Sequence, residues 1–400
     1  MTSSDEDRPY DPVEKLRSDL GDRPVRESLD PVRKQVRSLI PADESPTIVQ
    51  VVGSNGKGSV VHYLENLLER SGPSTVSYVS PHLSELRERI HWNGEPLSTS
   101  EFNRLIRELP RTLHENFTPF ERLFLGALQL GVRRSTDILI LEAGMGGRWD
   151  ATSALPADWT VLTSVDREHT DFLGTRRRDI LREQLDQLPP ESHLVAPILS
   201  PATLSEELRA MADKKRVTTV QLKEPGDPDT LNRNLSLVLG RLLTDRSGSW
   251  LQQQLQQLNR PPGRKEILHD QNRTILLDVA HSPAALREWI RFSTEEHEGA
   301  TDPAVYVYGC LKGKEHEENI KILREHIQPR NLWLTRPPSP RALDPEKLLG
   351  FWPDPPVAQP RVVPEPAAVW DQLHERTTER STISIAGSFT LVRYFREKIL

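Results

Sequence analysis

Seven residues, Gly53-Ser54-Asn55-Gly56-Lys57-Gly58-Ser59, stand where an apolar stretch becomes a helical run. Before them lies Ile48 to Val52, interrupted only by Gln50, which reads as a buried strand; after them Val60, Val61, Tyr63, Leu64, Leu67 and Leu68 recur at helical spacing. A strand that turns on glycines straight into an amphipathic helix restricts the chain to a sheet covered by helices. Glycines let the backbone bend tightly with its N–H groups inward, and the start of a helix adds unpaired N–H groups and a positive dipole end, so the turn suits a phosphate. Asn55, Gly56 and Gly58 would line it, Lys57 would place a point charge on terminal phosphates, and Ser59 would offer a hydroxyl to Mg²⁺. The stretch is shorter than the common phosphate loop, which would require a glycine at Val51. It is therefore either a chance glycine turn or a distinct class of nucleotide loop, and Lys57 and Ser59 at the mouth of the helix favour the second.

Upstream, the first forty residues are polar, with helical spacing at Leu29, Val32, Val36 and Leu39, and predict one or two helices packed on the sheet. Downstream, Thr75 to Val79 reads as a second strand ending at Ser80-Pro81. Asp137 to Glu142 is an apolar run closed by a carboxylate and followed by Gly144, Gly146, Gly147, Arg148 and Asp150. In parallel α/β sheets ligands bind beyond the carboxyl ends of strands, which makes Glu142 a candidate metal ligand. Thr160 to Val165 delivers Glu168 and His169 to the same edge. Strands alternate with helices to about residue 180 and predict a doubly wound, mostly parallel α/β sheet. Beyond that the chain reads as polar and less regular, with helices near 204–212, 231–243 and 251–258. Pro261-Pro262-Gly263 marks a boundary, giving a first domain over 1–260 and a smaller Rossmann-like α/β domain over 261–400, with strands at 274–278, 305–310, 332–335 and 383–386.

Four hundred residues with 52 basic and 58 acidic side chains, a net charge of −6, give no basic patch for nucleic acid or a membrane surface. No apolar run approaches the roughly 18 residues needed to span a bilayer, and the acidic, polar start is unlike a secretory signal. One cysteine, Cys310, cannot form an intrachain disulfide. These features predict a cytoplasmic enzyme acting on small molecules.

Taken together, several segments resemble one family. Val52 to Ser59, Ser80-Pro81-His82-Leu83, Glu88-Arg89-Ile90 and Asn93-Gly94-Glu95-Pro96 look like folylpolyglutamate synthase and dihydrofolate synthase, members of the Mur ligase superfamily. Glu142 to Arg148 with Asp150-Ala151-Thr152, Glu168-His169-Thr170, Pro262-Gly263-Arg264, Asp278-Val279-Ala280-His281, Pro340 to Leu343 and Gly387-Ser388 follow in the same order. The resemblance implies a monomer that uses ATP and Mg²⁺ to phosphorylate a dihydropteroate or reduced folate carboxylate, which L-glutamate then attacks. It implies that Lys57 and Ser59 meet the phosphates and their Mg²⁺, and that Ser80, Glu142 and His169 join Ser59 as metal ligands. Asn234 and Arg264 would reach the nucleotide phosphates, and Asp278 and His281 would lie near the ribose and the incoming amino acid, with Lys57 and His281 as the catalytic pair.

Three departures stand out. Where the family has a lysine that is carbamylated for a second metal, this chain has Gln184, within Arg182 to Asp186, so Glu183 or Asp186 substitutes, or that site is weakened, or the reaction differs. Ser282 replaces the usual asparagine after His281, and residues 190–230 look compressed. A related ligase for a non-folate acid, or a nucleotide-binding homologue without catalysis, is the alternative these departures leave open.

Overall fold

The computed structural model describes residues 11–19, 28–40, 45–167, 170–223, 226–270, 273–297, 304–313, 315–352, 358–376 and 381–400. They fall into two compact units, Met1–Leu258 and Asn259–Leu400.

The first unit is built on eight strands: β1 Thr47–Val52, β2 Thr75–Tyr78, β3 Ile90–Trp92, β4 Glu95–Pro96, β5 Ile138–Glu142, β6 Trp159–Leu162, β7 His193–Pro197 and β8 Thr218–Leu222. Their order is β4-β3-β2-β5-β1-β6-β7-β8, parallel except for the β2-β3-β4 hairpins. After β1 the chain runs out to β2, returns through β5 and then crosses to β6, so β1 sits at the switch point where α/β folds open a ligand crevice. β1 is buried on both faces, which is why it reads as an almost unbroken apolar run. Its interruption, Gln50, is buried and satisfied: Nε2 donates to Oγ1 of Thr152 and Oγ of Ser153, both at 2.9 Å. One sheet face packs Val49, Val51, Val60, Leu64 and Leu68 against Leu231, Leu235 and Leu239 of the helix Pro228–Leu243. The other packs Tyr78, Leu139 and Leu141 against the helix Pro119–Arg133, which Thr118 and Glu121 start as a capping box. The two N-terminal helices, Pro12–Ser18 and Asp30–Leu39, close that side through Leu16, Val32 and Val36.

The region beyond residue 180 is more regular than its sequence reads. β7 and β8 extend the sheet around the helix Ala202–Lys214. β7 has only Leu194, Val195 and Ala196 as its buried apolar centre, and β8, the half-buried edge, mixes threonine and glutamine with Val220 and Leu222. Both have ordinary strand length, but Pro197 breaks the apolar run of β7 and β8 lacks a clear apolar alternation.

The second unit has six strands, β9 Glu266–Asp270, β10 Arg273–Asp278, β11 Val305–Tyr308, β12 Leu332–Leu334, β13 Arg361–Val362 and β14 Thr382–Ala386, in the order β13-β12-β11-β14-β10-β9. Only β9 runs antiparallel. Short β13 and the half-exposed edge β9 are the strands that the sequence reading lacks. No helix of the described residues is long and apolar enough to cross a membrane.

One buried ion pair ties the phosphate-loop helix Lys57–Ser71 to β3. His91 Nδ1 lies 2.9 Å from a carboxylate oxygen of the fully buried Glu65, and its Nε2 meets the Glu88 carbonyl at 2.9 Å. Burial opposes the charged ring, but Glu65 outweighs it and holds the His91 pKa above the ordinary 6.5. A raised pKa means that this contribution is complete below pH 6.5 and is lost as pH rises through the folded-state value. Thermal unfolding of the wild type and of His91→Gln, followed across pH 6 to 9, is expected to differ most at the acid end and to converge at the alkaline end. A difference that does not change with pH would contradict the assignment.

Candidate active site

The loop that follows β1 is held open by glycine geometry. Gly53 has φ +131°, and a β-carbon there would fall 2.2 Å from Oγ1 of Thr163. Gly56 has φ +89° and precedes the first helical residue, Lys57. The loop is stitched to the end of β6: Ser54 N donates to the Ser164 carbonyl at 3.0 Å, Asn55 N to Ser164 Oγ at 2.9 Å, and Asn55 Nδ2 to Asp166 Oδ2 at 3.2 Å. Thr163 Oγ1 donates to the Asn55 carbonyl at 2.6 Å. Lys57 curls back over the loop, its Nζ donating to the carbonyls of Gly53 at 2.6 Å and Ser54 at 3.2 Å. The ammonium is thus folded onto the turn, and with the Ser54 and Asn55 amides committed to Ser164, the amides at the helix start, Gly56 to Ser59, are the ones a phosphate would meet.

Gln184 is 3% exposed and braces the same loop, with Nε2 donating to Ser54 Oγ at 3.3 Å, while its Oε1 is buried without a hydrogen-bond partner. Its acidic neighbours face elsewhere: Glu183 and Asp186 lie 3.7 and 3.5 Å from Arg148 and line, with it, a cavity of about 390 Å³.

Glu142 ends β5, next to β1, and is 4% exposed. One of its oxygens accepts from Ser80 N at 2.9 Å, which joins the ends of β5 and β2. Across from it runs the start of the loop helix: a β-carbon at Gly58 would lie 3.6 Å from Glu142 Oε2, and Ser59 is buried one residue on. Among the described residues no three His, Cys, Asp or Glu side chains converge on one point. A single buried carboxylate, with Ser80 bonded to it through its N–H and Ser59 one residue beyond Gly58, offers oxygen donors only. It fits Mg²⁺, which keeps one or two carboxylates and takes its other ligands from phosphates and water. His169, the remaining metal candidate, lies outside the described residues.

Asp150 shapes the loop beyond Glu142. Its Oδ2 accepts from Gly144 N at 2.8 Å and Met145 N at 3.1 Å, and its Oδ1 from Thr152 N and Oγ1. Burial pushes its pKa up against the pull of these bonds. Beside it Trp149 leaves 46% of its surface exposed, offering an aromatic face at this end of the sheet.

The sequence reading places Asn234 at the phosphates, whereas the asparagine against the loop is Asn232. Its Oδ1 would lie 2.5 Å from a β-carbon at Gly56, and it is 7% exposed. Asn234 is half-buried and stands about 200° further round the helix. The pattern Leu231, Leu235, Leu239 gives the signal that distinguishes them: Asn232 and Ser236 lie beside that buried stripe, and Ser236 Oγ reaches the Val60 carbonyl at 3.2 Å.

In the second unit the predicted residues gather at the ends of β10 and β14. Asp278 Oδ1 accepts from Ala280 N at 2.8 Å and Oδ2 from Lys265 N at 2.9 Å; burial raises its pKa, and the Arg264 charge counters this. Arg264 stacks over the Phe389 ring at 4.9 Å, and the His281 ring lies 6.5 Å from the same phenyl. His281 Nδ1 is 2.8 Å from the Val279 carbonyl, which fixes the proton on Nδ1 and leaves Nε2 as the other ring nitrogen. Asn319, which the sequence reading does not single out, donates to the His281 carbonyl at 3.0 Å.

Comparison with known proteins finds likeness in sequence and in fold. Residues 51–234 match the Mur ligase middle domain. A probable bifunctional folylpolyglutamate synthase/dihydropteroate synthase of Halobacterium salinarum is 27% identical over 402 residues, covering 90% of this chain. The chain spans about half the length of that curated relative, 48% of it. E. coli FolC, solved in complex with DHPP and ADP, superposes with a TM-score of 0.81 at 23% identity, covering 98% of each chain. The bifunctional folylpolyglutamate synthase/dihydrofolate synthase of Yersinia pestis, complexed with AMPPNP and Mn ion, gives 0.82 at 24% identity, covering 97% of this chain and 98% of that one. The chain thus carries a Mur ligase middle domain over residues 51–234 and is similar, in sequence and in fold, to folylpolyglutamate synthase/dihydrofolate synthase proteins.

Proposed function

We propose that this protein is an ATP-dependent ligase that joins L-glutamate to the carboxylate of a dihydropteroate or a reduced folate through an acyl phosphate. The observation that carries the reading is the alignment of three adjacent strand ends: the Lys57 loop after β1, the buried Glu142 carboxylate at β5, and Ser80 after β2, hydrogen-bonded to it.

A carboxylate is a poor electrophile, because its charge repels nucleophiles and its oxygen leaves badly. Transfer of the γ-phosphoryl group of ATP removes both obstacles, and the amine of glutamate then displaces phosphate. What the protein contributes is position and charge. Lys57 is placed to leave the loop carbonyls for the terminal phosphate, the loop amides to hold the other phosphates, and Asn232 to fix the loop at Gly56. Ser59, Ser80 and Glu142, with His169, would hold Mg²⁺, which when bound neutralises phosphoryl oxygens. The second unit's Arg264, Asp278 and His281 are assigned to the nucleotide and the incoming glutamate.

The test is to incubate the protein with Mg-ATP and L-glutamate, adding dihydropteroate or tetrahydrofolate, and to follow ADP and product mass. Stoichiometric ADP with a gain of one glutamyl unit supports the reading. ADP release that does not depend on any pterin acid would overturn it.

A further inference from the structure

Arg89 is only 9% exposed, yet among the described residues it forms no ion pair with a carboxylate. Its Nε donates to Nδ1 of His82 at 3.0 Å. Its charge also lies close to the buried Tyr78 hydroxyl, which donates to the Phe120 carbonyl at 3.0 Å and also senses Asp150 and Glu142. A guanidinium taken out of water is costly unless an anion meets it, and a histidine ring nitrogen and a phenol do not supply one. With Nε committed to His82 and one donor turned toward the Tyr78 hydroxyl, Nη1 and Nη2 still carry three N–H groups, donors of the kind that meet carboxylate oxygens.

Its place in the sheet says which anion this is. The Val79 N–H donates to the Arg89 carbonyl at 3.0 Å, which fixes Arg89 beside Ser80 at the end of β2. The phosphate loop follows β1, β5 with Glu142 and then β2 lie between it and β3, and Arg89 leads directly into β3, so Arg89 stands three strand spacings, about 14 Å, from the loop. An anion held there lies on the far side of the Glu142 strand from the phosphate loop. We propose that Arg89 anchors the carboxylate of the acid substrate, with His82 as the positioning residue that aims the guanidinium. The proposal rests on the ligase reading above and assigns its acceptor end.

In the reaction, one carboxylate oxygen attacks the γ-phosphorus, and the bond to the bridging oxygen breaks with its electron pair leaving on ADP. The other oxygen becomes the carbonyl of the acyl phosphate and stays on Arg89. The glutamate amine then forms the amide bond, loses a proton, and phosphate departs with the former carboxylate oxygen. Arg89 thus holds the acid through both steps.

The test compares wild type with Arg89→Met, Arg89→Lys and His82→Ala, measuring KM separately for the pterin acid, ATP and glutamate, with ADP affinity by calorimetry. Arg89→Met is expected to raise KM for the acid about 10- to 100-fold, the loss of a charge-assisted pair, while KM for ATP and affinity for ADP stay within about threefold. Arg89→Lys, which keeps the charge but loses the fork, and His82→Ala are expected to raise acid KM less, in the same selective way. If Arg89→Met does not fold, Arg89→Lys and His82→Ala carry the decision. Unchanged acid KM in the variants that fold, or equal losses for acid and ATP, would overturn the proposal. A wild type with no acid-dependent ADP release would instead overturn the ligase reading itself.

Discussion

Lys57→Ala is expected to abolish ligation, with a loss of at least about 100- to 1,000-fold in turnover, the scale for removing one preorganised donor from a developing charge. The structure accounts for the size and for the selectivity. The ammonium hydrogen-bonds to two carbonyls of the loop it serves, so it is tethered locally and not part of the hydrophobic core. Truncation should therefore cost less than about 1 kcal/mol of stability. Steady-state ADP release with thermal unfolding on the same samples checks both halves. Turnover within threefold of wild type would show that the loop does not hold the reacting phosphate. A large fall in unfolding temperature would show that Lys57 is structural.

Glu142→Gln is the second large effect. The substitution preserves shape and leaves a carbonyl oxygen to accept from Ser80 N, but it removes the buried negative charge at the end of β5. Divalent-cation affinity in the presence of ADP is expected to fall by at least about 100-fold, and turnover at saturating ATP to fall with it. Titration of the variant with Mn²⁺, followed by electron paramagnetic resonance, reads the cation directly. Wild-type affinity in Glu142→Gln would remove this carboxylate from the metal site.

Central strands explain why so much of the first unit was legible. β1 and β5 are covered on both faces, so they read as continuous apolar runs, and what interrupts or ends such a run must be functional or satisfied. Gln50 proved to be satisfied by Thr152 and Ser153, and Glu142 to be held at the strand end. Periphery and rotation were less legible. β8, β9 and β13 are edge strands with few apolar residues, and the apolar run of β7, beside the edge, is broken by Pro197. Choosing Asn232 over Asn234 required knowing which side of a helix faces the sheet, information carried by the leucine stripe and not by the asparagines. Gln184 was conspicuous as a replaced lysine, but its contact with Ser54 depends on the loop lying against the helix Arg177–Leu185. Arg89 sat inside a recognisable tripeptide, and nothing in the sequence indicated that its charge would be buried without a carboxylate.

The central claim is that the acid is activated by forming a bond from its own carboxylate oxygen to the γ-phosphorus. Supplying the pterin acid with ¹⁸O in that carboxylate, together with Mg-ATP and L-glutamate, tests it directly. The phosphate released should carry one ¹⁸O for each amide formed, because the attacking oxygen leaves with phosphorus. Amide formation accompanied by unlabelled phosphate would contradict the account.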